Sequence, residues 1–266
     1  MGPVVTPGAM LVRRVGSLVA VLLVGGAVTT QAATAIRYAE TAAYDLPSTL
    51  RRLTLDSPHG DAVIGVARSD TPRARVATRW SGREPEVSVA PAPGGAEASM
   101  SASCSAWSSW GRCQVDWDLL VPPDTAVGVD TSVGDVRLAD LRGPVLVTTT
   151  TGSITLERVG GPAATLRSTT GDVDVRGGGT RELAIRTTTG DVVVAPGPSV
   201  TRVAAMTTTG DVTVLLPRDG SPYRVEGESR TGTRSIEVTD DPQAARVIRV
   251  DTTTGDVTVR YDDARS

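Results

Sequence analysis

The sequence is poor in the residue types on which many enzyme sites and nucleic-acid interfaces depend. Phenylalanine, lysine and asparagine are absent, and aromatic residues make up only 3% of the 266 residues. Without asparagine there is no site for N-linked glycosylation, and a formal net charge of -3 does not suggest a nucleic-acid partner. The single histidine, His59, has no evident partner for a catalytic triad, so we interpret it as structural.

Long apolar runs are also absent, except near the N-terminus. Arg13 and Arg14 precede an uncharged run over residues 15–36, which contains Ala33-Thr34-Ala35. A basic flank, an apolar core and small residues fit a signal peptide, but the run is also long enough to span a bilayer. We expect it to be retained as a single membrane span with the rest of the chain outside the cell. Secretion after cleavage is the alternative.

The sequence contains two cysteines, Cys104 and Cys113, both beyond the apolar run. Outside the cytoplasm they are predicted to form a disulfide, worth roughly 2–3 kcal/mol for so short a loop. Two cysteines and one histidine are too few for a typical zinc site. Trp107, Trp110 and Trp117 surround the pair and are either core packing or a candidate patch for binding a ligand or partner.

Against this background one phrase recurs, Thr-Thr-Gly-Asp-Val. It occupies residues 169–173, 188–192, 208–212 and 253–257, with looser copies at 132–136 and 150–154. Copies that follow one another roughly every twenty residues indicate a stack of similar structural units. The sequence therefore predicts an all-β fold, a parallel β-solenoid of about 8–10 coils with about 18–23 residues each, after an N-terminal hydrophobic helix.

The residue pattern around each motif glycine predicts a corner between two strands. Apolar residues alternate before and after the glycine, as in strands with one buried face, but the alternation changes phase at Gly-Asp. Glycine suits such a bend because positive φ costs it nothing, and aspartate can bond backbone amides there. Antiparallel hairpins in a sandwich or barrel are the alternative fold. The predicted corner residues are Gly134, Asp135, Gly171, Asp172, Gly190, Asp191, Gly210, Asp211, Gly255 and Asp256.

Weaker copies extend the predicted solenoid in both directions. Residues 53–64 match the repeat as a first coil, and residues 74–89 and 108–121 fit divergent coils. Residues 231–238 form a copy with two extra residues, and residues 261–266 are expected to close the far end of the stack. The predicted organisation is a membrane anchor or signal peptide (1–36), a linker or cap (37–48), the solenoid (49–262) and a tail (263–266).

The recurring aspartates raise the question of catalysis. Neighbouring coils would place carboxylates about 5 Å apart, a spacing found in retaining glycosidases, so a lyase or glycosidase is one reading. However, a catalytic pair needs two different environments, whereas a repeated corner offers similar ones. Calcium needs six to eight oxygens, and each corner supplies one carboxylate. We therefore predict no catalytic residue, no metal ligand and no cofactor.

The threonines before each glycine also form columns. Alternation predicts that residues such as Thr149 and Thr151 point inward and that Thr150 points outward. Some antifreeze solenoids present arrays of threonine on a surface, but inward-pointing hydroxyls do not favour that function here.

The repeated Thr-Thr-Gly-Asp-Val, the cysteine pair ahead of Val121-Pro-Pro-Asp-Thr-Ala-Val127, and Leu216-Pro-Arg-Asp-Gly-Ser-Pro-Tyr223 together resemble a known family. It is the bacterial "putative adhesin" β-strand-repeat family, a domain of unknown function common in actinobacteria. The resemblance covers roughly residues 50 to 260. It implies an extracytoplasmic β-helical domain with no established catalytic residues.

The residues and the resemblance together lead to one functional hypothesis. We expect a non-enzymatic, adhesin-like binding or scaffold module of the cell envelope, with an unidentified surface ligand, membrane contact through residues 15–36 and no nucleic-acid partner. A carbohydrate-active β-helix enzyme that uses the corner aspartates is the alternative. An extracytoplasmic sensor is a third reading, although the segment before the apolar run leaves little room for signalling.

Overall fold

The computed structural model describes residues 37–68, 71–104 and 113–262. The predicted anchor or signal peptide at 15–36 and the tail at 263–266 lie outside these ranges. No helix within the described ranges is long and apolar enough to cross a bilayer.

The regular elements of the described chain are β-strands. In chain order they are β1 (Tyr38–Asp45), β2 (Arg52–His59), β3 (Ala62–Val66), β4 (Arg73–Trp80), β5 (Glu86–Pro91), β6 (Glu97–Ser103), β7 (Cys113–Val121), β8 (Ala126–Val133), β9 (Val136–Ala139), β10 (Val145–Thr151), β11 (Ile154–Glu157), β12 (Ala163–Thr170), β13 (Val173–Gly177), β14 (Glu182–Arg186), β15 (Val192–Pro196), β16 (Arg202–Thr209), β17 (Val212–Leu216), β18 (Arg224–Glu226), β19 (Ser229–Thr231), β20 (Arg234–Glu237), β21 (Val247–Thr254) and β22 (Val257–Tyr261).

These strands form two facing sheets, and each coil of the chain contributes to both. The order in sheet A is β1-β4-β7-β3-β9-β11-β13-β15-β17-β22-β20, and in sheet B it is β18-β21-β16-β14-β12-β10-β8-β2-β6-β5, with β19 beside β21. From β7 to β20 the nine strands of sheet A are parallel. The described chain is therefore a parallel β-solenoid of nine coils, and the predicted fold class is confirmed.

The core consists of the apolar columns that the sequence indicates. Val145 and Val147 in β10 alternate with exposed residues, and Val145 lies beside Ala164 of the next coil in the same register. Past the corner the buried residues are even-numbered, Ile154 and Leu156, whereas those before it are odd-numbered, so the alternation changes phase as predicted. Fully burying one such side chain contributes about 1.5–3 kcal/mol, so the stacked columns supply the main driving force for folding.

The corner glycines bring successive coils into very close contact. Gly190 has a φ of 145°, and a β-carbon on it would lie 2.2 Å from the carbonyl oxygen of Gly171. No side chain fits such a space, so the position requires glycine for steric reasons as well as for its φ. The same contact links consecutive coils from Gly60 through Gly134, Gly152, Gly171, Gly190, Gly210 and Gly255 to Gly232.

The order of coils in the stack differs from their order in the sequence at both ends. The β6–β7 coil lies outside the β2–β3 coil, which is therefore not the first. At the other end, β18, β19 and β20 form the outermost coil, and β21–β22 insert between that coil and β16–β17. The prediction that residues 261–266 close the stack is wrong for the described residue Tyr261, because β22 is covered by β20.

The predicted coil at residues 74–89 is also wrong. β4 pairs antiparallel with both β7 and β1, and β5 pairs antiparallel with β6. A parallel strand in the same sheet needs a connection of a dozen or more residues, and residues 67–72 between β3 and β4 are too few. The chain therefore turns back on itself and extends the sheets beyond the coil stack.

The close contact between corner glycines can be tested with Gly190→Ala. We expect it to lower the free energy of unfolding by about 3–5 kcal/mol, since the added carbon meets a backbone oxygen that cannot move alone. Gly82→Ala is the matched control, because Gly82 also has a positive φ of 90° but no atom within 4 Å of the added carbon. Its cost should be about 1–2 kcal/mol. Equal losses in urea unfolding would show that the contact is unimportant.

Candidate binding surfaces

The corner aspartates connect each coil to the next. Asp172 Oδ1 accepts the backbone N–H of Asp191 at 2.8 Å, and Asp191 Oδ1 accepts that of Asp211 at 2.8 Å. The partner amide lies on the neighbouring coil rather than within the same turn, where the sequence had suggested it. The same bond joins Asp61 to Asp135, Asp135 to Ser153, Asp211 to Asp256 and Asp256 to Thr233.

The buried hydroxyl residues three positions before each glycine complete the corner. Thr187 Oγ1 donates to the carbonyl oxygen of Gly171 at 3.1 Å, and Thr207 Oγ1 to that of Gly190 at 3.1 Å. These bonds satisfy carbonyls that the sheet ladder leaves free at the bend. Two hydroxyls in the same column, those of Thr131 and Thr149, are buried without a hydrogen-bond partner.

Two exposed threonines directly precede the corner glycine in five coils, at Gly152, Gly171, Gly190, Gly210 and Gly255. Thr150 points outward as predicted, but Thr151 is also exposed, so the expectation that it points inward is wrong. The chain has already begun to turn at that position, and alternation along the strand no longer sets the direction of the side chain. One corner of the solenoid therefore presents a continuous strip of threonine hydroxyls and aspartate carboxylates, which we call the Thr–Asp strip. Its threonines are Thr150, Thr151, Thr169, Thr170, Thr188, Thr189, Thr208, Thr209, Thr253 and Thr254.

The electrostatics of Asp256, one aspartate of the strip, do not resemble those of a general acid. At Asp256, hydrogen bonds from the backbone and hydroxyl of Thr233 hold the pKa below its ordinary value. A glycosidase acid needs the opposite shift, so that it stays protonated until it acts. The described residues also include no group of three or more His, Cys, Asp or Glu side chains that could hold a metal ion.

The tryptophan patch is not formed by Trp117. This side chain is 1% exposed, and its Nε1 donates to Ser57 Oγ at 3.1 Å inside the stack. Trp107 and Trp110 lie outside the described residues.

Cys104 and Cys113 form a disulfide with their Cα atoms 6.2 Å apart, which joins the end of β6 to the start of β7.

Comparison with known proteins agrees with this geometry. The model of the family described as Toastrack DUF4097 matches residues 125–260. The chain belongs to the Toastrack DUF4097 family. The match begins at the β8 coil, so the antiparallel strands and the two preceding coils lie outside it. No curated protein matches the sequence.

Solved structures resemble the Toastrack solenoid in fold. A "putative adhesin" from Bacteroides fragilis superposes with a TM-score of 0.50 at 9% identity, covering 84% of this chain and 97% of its own. A "putative cell adhesion protein" from Clostridium sporogenes has a TM-score of 0.36 at 12% identity, covering 85% and 100%. At these identities the first likeness concerns the fold alone.

Asp116 is a member of the aspartate series that the sequence pattern did not reveal. It precedes Trp117 in β7, and its Oδ1 accepts the N–H of Asp61 at 3.1 Å, while Arg79 holds its Oδ2 at 2.9 Å. The residue before it is Val115 rather than glycine, so a search for Gly-Asp passes over it. Its register beside Asp61, not its motif, identifies it as the first aspartate of the series.

The irregular coil of the Toastrack domain is held in place by a cluster around Arg246. Its guanidinium donates to Asp219 Oδ2 at 2.7 Å and to the hydroxyl of Tyr223 at 3.2 Å, and Tyr223 is fully buried. Burial alone would raise the pKa of Asp219, but the hydrogen bonds from Arg246 and Ser221 outweigh it and the pKa is lowered. The cluster ties the chain before β18 to the chain before β21, which is a structural role.

The opposite end of the solenoid carries an aromatic surface that the sequence did not suggest. Tyr38 and Tyr44 in β1 are 48% and 37% exposed, and the ring of Tyr38 stacks on Trp80 with 5.6 Å between centroids. Beside Tyr44 lies an open cleft of about 260 Å³ whose lining includes Val76 and Val87. Exposed aromatic side chains of this kind are enriched at protein interfaces.

The hydroxyl column can be tested by removing single hydroxyls. Thr187→Val should cost about 1–2 kcal/mol in free energy of unfolding, since the carbonyl of Gly171 loses its donor. Thr149→Val is the matched control and should cost nothing or stabilise, because its hydroxyl is buried without a partner. Similar losses in chemical denaturation would show that the bond to the glycine carbonyl does not matter.

Ser153 offers a complementary test, because it occupies the one motif position from 135 to 256 where serine replaces aspartate. The N–H of Asp172 therefore has no carboxylate on the preceding coil. Ser153→Asp should raise the free energy of unfolding by about 0.5–1 kcal/mol by supplying that acceptor. Asp191→Ala should lower it by a similar amount. Thermal unfolding at neutral pH measures both, and destabilisation by Ser153→Asp would contradict the proposed geometry.

Proposed function

We propose that this chain is a non-enzymatic, adhesin-like binding or scaffold module of the cell envelope. The segment at residues 15–36 holds it at the membrane, and the solenoid stands outside the cell. This proposal rests on the fold, on family membership and on the chemistry of the corners. The name of the similar structure from Bacteroides fragilis, a "putative adhesin", points in the same direction, although it describes that protein.

The observation that carries the proposal is the use of the corner carboxylates. From Asp61 to Asp256, each corner aspartate accepts a backbone amide of the next coil at 2.7–2.9 Å. The groups that a glycosidase or lyase would use as acid and base are thus part of the hydrogen bonding that holds the coils together. The side chains that remain available to other molecules form a regularly repeating polar surface, the Thr–Asp strip.

Such a surface suits binding better than turnover. Hydroxyls and carboxylates repeat along the stack at about 4.8 Å, the spacing of hydrogen-bonded strands. A repeated array can engage an extended envelope polymer at several points at once, and many weak contacts then sum to a useful avidity. We therefore propose the Thr–Asp strip as the surface that meets the unidentified ligand.

The enzymatic alternative can be separated from this proposal with the double variant Asp172→Asn/Asp191→Asn. Asparagine keeps the accepting oxygen, so the thermal unfolding temperature should stay within a few degrees of wild type. Incubated with purified cell-wall glycans, neither protein should release reducing ends. Release by wild type that disappears in a folded double variant would overturn the non-enzymatic proposal.

The proposed location has its own measurement. We expect the full chain in the membrane fraction after an alkaline carbonate wash, and protease added to intact cells should degrade the solenoid. The expected intact mass is that of the full sequence less the two hydrogens lost in the disulfide. A protein in the medium whose mass lacks the first 35 or so residues would instead establish secretion after cleavage.

A further inference from the structure

The strand β1 leaves a long edge of sheet A unpaired. It has eight residues and pairs through β4 only, and no described strand lies on its other side. The opposite end of the solenoid has shorter strands, with β18 and β19 at three residues each and β20 at four. Proteins normally protect edges by shortening them or by placing proline or charged residues there. β1 is long and contains no proline, and one charged side chain, that of Glu40, lies on its inner face.

The inner face of β1 is also uncovered. In the register with β4, Tyr38 lies beside Trp80 and Tyr44 beside Ala74, so both tyrosines face the same side as the buried residues Ala74 and Val76. Sheet A extends two strands beyond β7, whereas sheet B extends only one strand, β5, beyond β6. Sheet B has no described strand beyond β5 to cover the tyrosines, and an open cleft separates Tyr44 from Val87 of β5, so the tyrosines are exposed.

The sequence of this edge is self-complementary. Residues 37–45 read Arg-Tyr-Ala-Glu-Thr-Ala-Ala-Tyr-Asp, and their centre is Thr41. An antiparallel copy centred on Thr41 places Arg37 opposite Asp45, Tyr38 opposite Tyr44, Ala39 opposite Ala43 and Glu40 opposite Ala42. Every pair in this arrangement lies on one face of the sheet, as the pleat requires.

The other registers that keep the faces matched are worse. A shift of two residues in one direction sets Glu40 against Glu40 of the copy, which places like charges directly opposite each other. A shift of two residues in the other direction sets Glu40 against Tyr44, and Arg37 then no longer lies opposite Asp45. The arrangement centred on Thr41 gives two tyrosine pairs and two Arg–Asp pairs, each of them favourable across antiparallel strands.

We propose that β1 is the interface at which two copies of this chain form a symmetric dimer. The two β1 strands pair antiparallel about a twofold axis at Thr41, and sheet A runs continuously through both solenoids. The four tyrosines fill the opening that sheet B leaves on each side. Twofold symmetry also sets both Arg37 residues at the same height along the axis.

Cysteine crosslinking of the full chain in detergent micelles or nanodiscs tests the register. The native cysteines are joined to each other, so an added thiol is free to react only with another added thiol. Thr41→Cys should give a covalent dimer with a short thiol crosslinker, because opposite β-carbons lie about 5 Å apart. Ala43→Cys alone should not, since its opposite residue is Ala39, but a mixture of Ala43→Cys and Ala39→Cys should.

The crosslinking result decides between this dimer and its alternatives. Equal crosslinking of Thr41→Cys and Ala43→Cys would indicate random collision and overturn the proposal. So would a wild-type mass in light scattering, corrected for detergent, that stays at one 27.5 kDa chain at all concentrations tested. Capture of a different protein by a monomeric β1 edge would equally overturn it.

The charge pair provides an independent check that leaves the core untouched. Asp45→Arg should weaken dimerisation about 10-fold, because the dimer contains two such pairs and each is exposed. The combined variant Arg37→Asp/Asp45→Arg should restore most of the loss by recreating both pairs. If the combined variant dimerises no more tightly than Asp45→Arg, the proposed pairing of Arg37 with Asp45 is refuted.

Discussion

The contact between each corner glycine and the carbonyl of the glycine on the preceding coil is the constraint on which the rest of the structure depends. Because the coils approach so closely, the backbone groups at the corner find most of their partners on a neighbouring coil. Gly171 N–H donates to Thr189 and Val173 N–H to the carbonyl of Asp191, both at 2.9 Å. The carbonyl of Gly171 accepts a threonine hydroxyl, and Asp191 N–H donates to a carboxylate. The spacing of the residues in the motif thus follows from the need to give the polar groups of one bend their hydrogen-bond partners.

The features that could be predicted from the sequence are those that recur. The period, the change of phase at Gly-Asp and the corner residues all repeat, so the solenoid and its buried columns follow from pattern alone. The coil order at the ends could not be predicted, because alternation identifies a strand without naming its neighbour. β4 alternates as regularly as β10, yet it runs antiparallel. Likewise, the pattern places Asp116 on a strand, but only register reveals its bond to Asp61.

Repeating and unique residues are divided between different parts of this molecule. The recurring threonines, glycines and aspartates are occupied by contacts between coils, and their exposed remainder forms a uniform strip. Features that are not part of the repeat are concentrated at the two ends of the stack. One end has the stacked rings of Tyr38 and Trp80, and the other has the cluster around Arg246. The end that carries β1 lies outside the segment that matches the family model. The family match therefore covers the stacked coils from β8 onward, and the antiparallel strands β1, β4 and β5 lie outside it.

The inverted order of the last two coils has a mechanical consequence. The final coil in the sequence, β21–β22, is hydrogen-bonded on both sides, to β16–β17 and to the β18–β20 coil. Tension applied at Asp262 cannot peel away an outer layer, because the strand under load lies between two neighbours and must slide past both at once. A load carried by a molecule attached to that end meets shear resistance from two interfaces. The last described strand of the chain, β22, thus lies inside the stack between β17 and β20.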